Sequence, residues 1–291
     1  MRNIPKRLTM TTELQKKIDK AIRLLQSVQK ITPPDEPIEL AYSGGKDSDV
    51  IQQLAKEAGI NFRAIYKNTT IDPPGTIRHV REMGVEIRQP EKNFFQLVTE
   101  AGFPNRFYRF CCNTLKEYKI LDKCIIGVRK SESNVRSSRY NEPTECLGTK
   151  ANPREGIYPI LDFTDEDVEE FLTDRGVKCA PIYYDEDGRF HVERRLGCMC
   201  CPLKSKRKRI EDFKARPKMV KAYIKAGKKY FDAHRDVKCC QKYEDIYEWF
   251  TREVFYEKQK EWEESKSALF GERPDYKKQL EDYFGIDLTL S

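Results

Sequence analysis

A chain of 291 residues, 35% charged and 38% hydrophobic, is long enough for one large core, or a core domain and a smaller one, under a polar surface. No apolar run approaches the roughly 20 residues of a membrane helix, and Met1-Arg-Asn-Ile-Pro-Lys-Arg7 lacks the apolar stretch of a signal peptide. We therefore expect a cytoplasmic protein without membrane contact. The net charge of +7 permits an anionic partner without requiring one. Ten cysteines in such a compartment point to metal, cluster or redox chemistry rather than to a disulfide framework.

Residues 11–30 read as an amphipathic helix, with Leu14, Ile18, Ile22, Leu25 and Val28 on one face and Thr11 or Thr12 as its cap. Ile31-Thr-Pro-Pro-Asp-Glu-Pro37 breaks the pattern. Ile38, Leu40 and Tyr42 then alternate like a strand, Ser43-Gly44-Gly45-Lys46-Asp47-Ser48 turns, and a helix follows. Its stripe is Val50, Ile51, Leu54, Ala55 and Ala58, and Gly59 ends it. Glycines at this turn let the backbone approach a bound group. The N–H groups of the helix start carry partial positive charge, a seat for phosphate. Ser43 and Ser48 add hydroxyls, and Lys46 adds a charge. An ordinary βα turn explains two glycines; the whole hexapeptide between strand and helix favours a phosphate loop.

Phe62–Tyr66 is predicted as a second, parallel strand, followed by the loop Asn68-Thr69-Thr-Ile-Asp-Pro-Pro-Gly75-Thr76. A short helix over 76–83, a strand at 85–87 and a helix over 93–101 come next. Arg106–Cys112 leads into a helix near Leu115–Ile120, and Cys124–Val128 is a fourth strand. Ile157–Ile160 is extended; Thr164 caps a helix with Asp167 three residues on, and Gly176 ends it. Alternating strands and helices imply a doubly wound parallel α/β sheet, with ligand at the carboxyl ends of the strands. Beyond about residue 205 the chain reads as helical and highly charged, its apolar positions including Tyr223, Ile224, Phe231, Ile246, Trp249, Phe250 and Phe255.

Three further clusters carry chemistry. Cys111-Cys112 and the Cys-x-x-Cys of Cys198 and Cys201 offer four soft ligands for a [4Fe–4S] cluster or a tetrahedral zinc; adjacent cysteines favour the cluster, and buried free thiols are the bland alternative. Gly127-Val-Arg129, with Glu132, Ser133 and Arg136, suits a phosphate or sulfate group, or else is a solvated loop. Five basic residues in the six of Lys204–Arg209 suit nucleic-acid phosphates, or else are a solvated helix start, the usual meaning of a charge run. His79 and His234 form no recognisable pattern, His191 lies seven residues before Cys198, and the Cys239-Cys240 pair has no assigned role.

Together these motifs resemble the phosphoadenosine phosphosulfate (PAPS) reductase family of the PP-loop, adenine-nucleotide α-hydrolase superfamily. Ser43–Ser48 is similar to the PP-loop of ATP pyrophosphatases, and Asn68–Thr76 to the loop that borders the nucleotide. Cys111-Cys112-x-x-x-Lys116 and Cys198–Cys201 are similar to the cluster motifs of adenylylsulfate reductases. Gly127-x-Arg129-x-x-Glu132-Ser133 and Pro159–Val168 complete the resemblance, over roughly residues 36–205. It implies a Rossmann-like domain over 36–205, between an N-terminal helix (1–35) and a C-terminal helical region (206–291). It also implies ATP and Mg²⁺ at Ser43, Gly44, Gly45, Lys46, Asp47, Ser48, Asn68, Thr69, Gly127 and Arg129. The catalytic residues it implies are Lys46, Asp47, Arg129 and Lys116, and a cluster would sit on Cys111, Cys112, Cys198 and Cys201. The tail from Pro274 has no cysteine, whereas sulfonucleotide reductases carry a nucleophilic one near their C-terminus, and the phosphate loop is intact, as in family members that adenylate a substrate. The expected function is cleavage of ATP to AMP and pyrophosphate for sulfur chemistry, with a nucleic-acid acceptor reached through Lys204–Arg209, a sulfur or electron donor protein, and a homo-oligomeric assembly. The alternatives are a sulfonucleotide reductase releasing sulfite and a nucleotide- or nucleic-acid-binding subunit without turnover.

Overall fold

A computed structural model describes residues 11–116, 123–132, 134–140, 142–146, 155–255 and 274–290. The chain forms two compact units that interleave along the sequence. One comprises Met1–Asn68, Pro73–Gln89 and Tyr118–Leu196; the other comprises Thr69–Asp72, Pro90–Glu117 and Gly197–Ser291.

The first unit is built on a six-stranded sheet. Its strands are β1 (Ile38–Ala41), β2 (Phe62–Lys67), β3 (Glu86–Arg88), β4 (Lys123–Ile126), β5 (Thr144–Cys146) and β6 (Glu155–Ile157), in the spatial order β3-β2-β1-β4-β6-β5. All neighbours pair in parallel except β5 and β6. The antiparallel β5 was not expected; Thr144-Glu-Cys146 is too short to show a period. Glu39 is buried along with Ile38 and Leu40, because a central parallel strand is covered on both faces and need not alternate. The order runs outward from β1 to β3, then restarts on the other side of β1 with β4. That reversal falls between β1 and β4, and a doubly wound sheet takes its ligand beyond the carboxyl ends of the strands at such a point.

Helices α1 (Thr12–Lys30), α2 (Lys46–Ala58), α3 (Thr76–Glu82), α6 (Asn134–Arg139) and α7 (Asp165–Asp174) belong to this unit. Thr11 caps α1 by accepting from Leu14 N at 3.3 Å, and Leu14, Ile18, Ala21, Leu25 and Val28 form its buried stripe. That stripe shares one core with Val50, Ile51, Leu54 and Ala55 of α2 and with Val168, Phe171 and Leu172 of α7. At the start of α7, Thr164 Oγ1 accepts from Asp167 N at 3.2 Å, and Asp167 Oδ2 accepts from Thr164 N at 2.8 Å. Lys17 of α1 completes the corner with a 2.5 Å ion pair to Asp167.

The second unit is helical: α4 (Phe94–Ala101), α5 (Phe110–Leu115), α8 (Lys206–Ala215), α9 (Pro217–Ala233), α10 (Lys238–Gln241), α11 (Ile246–Phe250), a π turn (Thr251–Phe255) and α12 (Tyr276–Phe284). Its core is aromatic. Phe103 lies 4.3 Å from Trp249 between ring centroids, and Phe213 lies 5.5 Å from Tyr223. The apolar positions read from the C-terminal sequence are all buried here. The helix expected near Leu115–Ile120 begins earlier, so Cys111 and Cys112 lie within α5, and 117–120 fall outside the described residues. Among the described residues no helix is long and apolar enough to cross a membrane.

Candidate functional site

In the first unit the hexapeptide joins β1 to α2 as expected. Gly44 has φ +79°, and a Cβ there would lie 2.9 Å from Thr76 Cγ2, so both backbone and space require glycine. Gly45 is the N-cap of α2, a helix of 13 residues, in extended conformation and has no side chain to cap it. The amides at this start are met from elsewhere, Gly45 N by Ser43 Oγ and Lys46 N by the Tyr183 hydroxyl. Ser48 Oγ donates to Gly45 O at 2.6 Å, and Ser43 Oγ accepts from Gly45 N at 3.3 Å, which fixes the two hydroxyls beside the turn.

Lys46 is buried, with its Nζ 3.5 Å from Asp47 Oδ2 and 5.6 Å from the centroid of the Tyr183 ring. The Tyr183 hydroxyl also accepts from Lys46 N at 3.2 Å and from Leu196 N at 3.3 Å. Sequence reasoning missed Tyr183; it lies 137 residues from Lys46 and sits in no local motif.

The loop after β4 comes up against the same helix start. A Cβ on Gly127 would lie 3.1 Å from Asp47 O, so glycine is what allows the two segments this close. Arg129 is only 1% exposed. Its Nε donates to Asp47 Oδ1 at 2.7 Å, its Nη2 to Asp165 Oδ1 at 2.7 Å and its Nη1 to Ser131 Oγ at 3.0 Å. The structure therefore places Arg129 as the anchor of Asp47, with its donors engaged by protein oxygens, and not as an open anion clamp. Ser133 and the Arg136 side chain lie outside what is described.

Beneath the loop, residues flanking the hexapeptide form a buried polar cluster. Tyr42 donates to Asp49 Oδ1, His79 Nε2 lies 2.9 Å from the same oxygen, and Tyr42 Oη and His79 Nε2 are 3.1 Å apart. Burial pushes Asp49 above the ordinary carboxylate range, with the His79 and Tyr42 hydrogen bonds opposing it. Burial, and then Asp49 beside it, push the Cys179 thiol up. His79, patternless in the sequence, is thus a partner of the helix that carries the loop. Asn68 follows β2 directly in this unit and donates from Nδ2 to Gln89 Oε1 at 2.8 Å.

The second unit gathers the cysteines. Cys111, Cys112, Cys198 and Cys201 line one cavity with Thr69, Lys116 and Tyr223. Cys200 has φ +55°, a left-handed turn that separates its side chain from those of its neighbours. Its thiol instead meets Met219 Sδ at 3.4 Å. The Cys111 thiol is raised first by its hydrogen bond with Cys112, then by burial, then by the nearness of Cys112, Cys198 and Cys201. Burial raises Cys198, opposed by the Lys116 ammonium. Burial would lower Lys116, but Cys198 and Asp72 outweigh it and raise the ammonium. Cys198 also donates to Thr69 Oγ1 at 3.7 Å. Thr69, expected to bind nucleotide, and Lys116, expected as a catalytic residue, both line the thiol cavity.

Among the described residues, no three His, Cys, Asp or Glu side chains are arranged to hold a metal ion. Cys111, Cys112, Cys198 and Cys201 line one cavity and are the soft donors that an iron–sulfur cluster would take, but they are not gathered into a ligand group.

The remaining candidates do not line this cavity. His191 pairs with Asp185 at 2.9 Å and Glu193 at 3.0 Å in the first unit, whereas Cys198 belongs to the second. Cys239 is exposed and Cys240 is buried, their sulfurs 3.8 Å apart; burial, then Cys239, push Cys240 up to about 12. The basic run forms the first turn of α8 behind the cap Ser205. Lys204 pairs with Asp212 at 2.8 Å, Arg207 pairs with Glu211 at 3.0 Å, and Arg209 is buried, so it is no continuous basic strip.

Residues 37–204 match the model of the phosphoadenosine phosphosulfate reductase domain, more than half of the chain. The chain belongs to that family. An uncharacterized protein of Methanocaldococcus jannaschii is 29% identical over 57% of this chain and 41% of its own length. An uncharacterized 37.8 kDa protein of Escherichia phage 186 is 30% identical over 47% of this chain and 43% of its own. The PAPS reductase-family chain thus spans about two fifths of the length of these curated relatives. The crystal structure of phosphoadenylyl-sulfate (PAPS) reductase from Candida auris, a phosphate complex, is similar with a TM-score of 0.43 and 14% identity, over 66% of this chain and 97% of that one.

Proposed function

We propose that this PAPS reductase-family protein binds ATP at Ser43–Ser48 and cleaves it to AMP and pyrophosphate, adenylating an acceptor for sulfur chemistry. The observation that carries the reading is the intact hexapeptide on a glycine-capped helix start at the strand-order reversal, with Gly44 in the left-handed region. Backbone N–H groups there and the Ser43 and Ser48 hydroxyls hold the β and γ phosphates. Lys46 balances their charge from a buried position beside Tyr183. Asp47, aimed by Arg129, stands where a Mg²⁺ ion would be held, and that ion neutralises the pyrophosphate when bound. An acceptor oxygen attacks the α-phosphorus as the bond to the bridging oxygen of pyrophosphate breaks; catalysis is mainly positioning and electrostatics.

Cys111, Cys112, Cys198 and Cys201 would hold a [4Fe–4S] cluster, whose chemistry here is sulfur or electron delivery. The test of the reading is pyrophosphate release from ATP by the full chain, with and without candidate acceptors. Release lost in Gly44→Ala but kept in Cys239→Ser supports it; no release with any acceptor sinks it. The exposed Cys239 thiol supports a second reading, sulfonucleotide reduction to sulfite. Replacing Cys239 and Cys240 with serine abolishes sulfite formation on that reading, and full activity would refute it.

A further inference from the structure

Five large hydrophobic side chains are exposed among the described residues, and among those in the second unit are Phe107, Tyr108 and Leu203. Phe107 is 100% exposed and Tyr108 56%. This is not loose chain. Asn105 Oδ1 accepts from Phe107 N at 2.9 Å and from Tyr108 N at 2.8 Å, and Asn105 N donates to Tyr108 O at 3.2 Å. The turn so fixed holds the Phe107 ring outward in water, beside the half-exposed Tyr108.

Its flanks are Arg106 and Arg109, both exposed and, among the described residues, without a carboxylate partner. Arg106 Nε donates to Pro202 O at 3.2 Å, which ties the turn to the segment carrying Leu203 and running into α8. Lys206 and Lys208 are exposed on the first turn of that helix. Cys111, Cys112, Cys201 and Pro202, the immediate neighbours of these residues, line the thiol cavity.

We propose that the Arg106–Arg109 turn is a docking platform for single-stranded nucleic acid, with bases stacked on Phe107 and Tyr108 and phosphates on the flanking arginines. The open Phe107 ring and the half-exposed Tyr108, which packs on Phe110 at 5.5 Å between centroids, lie between arginines without a carboxylate partner among the described residues. They suit unstacked bases with their backbone; a duplex hides its base faces. The proposal names the acceptor class for the sulfur chemistry proposed above and to that extent rests on it. Binding is measured without nucleotide, so the two readings fail separately.

The experiment is fluorescence anisotropy of the full-length protein with a labelled 20-nucleotide single strand and the matching duplex across a salt series. We expect the single strand to bind more tightly, and Phe107→Ala to weaken it by about 5- to 100-fold, as loss of one stacked base does. Phe107 touches no core, so its variant keeps the wild-type melting temperature. Arg109→Ala should reduce the slope of log affinity against log salt by about 0.7, one phosphate on a single strand. Equal affinity for duplex, or unchanged affinity in Phe107→Ala, overturns the proposal. Loss of pyrophosphate release with this binding intact would instead count against the ATP reading.

Discussion

Arg129 and Asp47 show how much one buried pair decides. The guanidinium is 1% exposed and held by two carboxylates, from α2 and α7, and by the Ser131 hydroxyl. Removing one partner of a buried pair leaves the other charge uncompensated, a loss of about 3–5 kcal/mol. We predict that Arg129→Met lowers stability by that order in urea unfolding, and that Asp47→Asn, which keeps a hydrogen-bond acceptor, lowers it by less. If Arg129 instead held only substrate, Arg129→Met would melt as the wild type does. Gly44→Ala places a side chain in a left-handed backbone and 2.9 Å from Thr76 Cγ2. It should weaken nucleotide binding in calorimetry at least tenfold, which at about 1.4 kcal/mol lies within the strain of a non-glycine residue there. The pairing of Arg129 was not legible in the sequence. Its partners lie 82 and 36 residues away, and only the fold brings them together.

At the scale of elements, what local chemistry dictates was legible. The Thr164 and Asp167 capping box is written in four consecutive residues, and Thr11 caps α1 where the apolar stripe begins. Thr164→Ala should cost about 1 kcal/mol of stability, measured by chemical denaturation. Asp167 is held below the ordinary carboxylate range: burial raises it, but the Lys17 ion pair and the Thr164 amide outweigh that. The sign follows from the depressed folded value. The contribution is fully present above the unfolded aspartate range, near pH 4, and is lost as pH falls through the folded value. Acid unfolding of Asp167→Asn should therefore show a shallower fall in stability below about pH 4 than the wild type; an identical profile would remove Asp167 from the account. Elements whose signal is not local were misread. The three residues of β5 are placed by pairing with β6, and α5 starts early because Phe110 is buried in the aromatic core.

At the scale of the molecule, the sequence pointed to a parallel α/β sheet with the hexapeptide between a strand and a helix; the sheet is present, parallel but for β5, and the hexapeptide joins β1 to α2. The sequence also paired Cys111 and Cys112 with Cys198 and Cys201, which do line one cavity. The partition into units was not legible, because the second unit collects Thr69–Asp72, Pro90–Glu117 and everything from Gly197 onward. Contacts among aromatic residues distant in sequence define it. If the four thiols hold a [4Fe–4S] cluster, an anaerobic preparation should carry about four irons per chain with broad visible absorbance. Cys198→Ser should lower that iron content while the melting temperature of an iron-free preparation stays unchanged. Iron-free protein in every anaerobic preparation, colourless and fully active, would leave the cysteines as packed thiols.

The central claim is that Ser43–Ser48 takes ATP. The most direct measurement is a thermal-shift panel on the full chain with ATP–Mg²⁺, PAPS and adenylylsulfate, repeated on Gly44→Ala. A ligand that binds only the folded state, at about 100 times its dissociation constant, adds roughly 2.7 kcal/mol, an easily read rise in melting temperature. The account predicts stabilisation of the wild type by ATP–Mg²⁺, little by the sulfonucleotides, and about half of the ATP stabilisation or less in Gly44→Ala, whose binding is at least tenfold weaker. Stabilisation by the sulfonucleotides alone, or an undiminished ATP shift in Gly44→Ala, would contradict it.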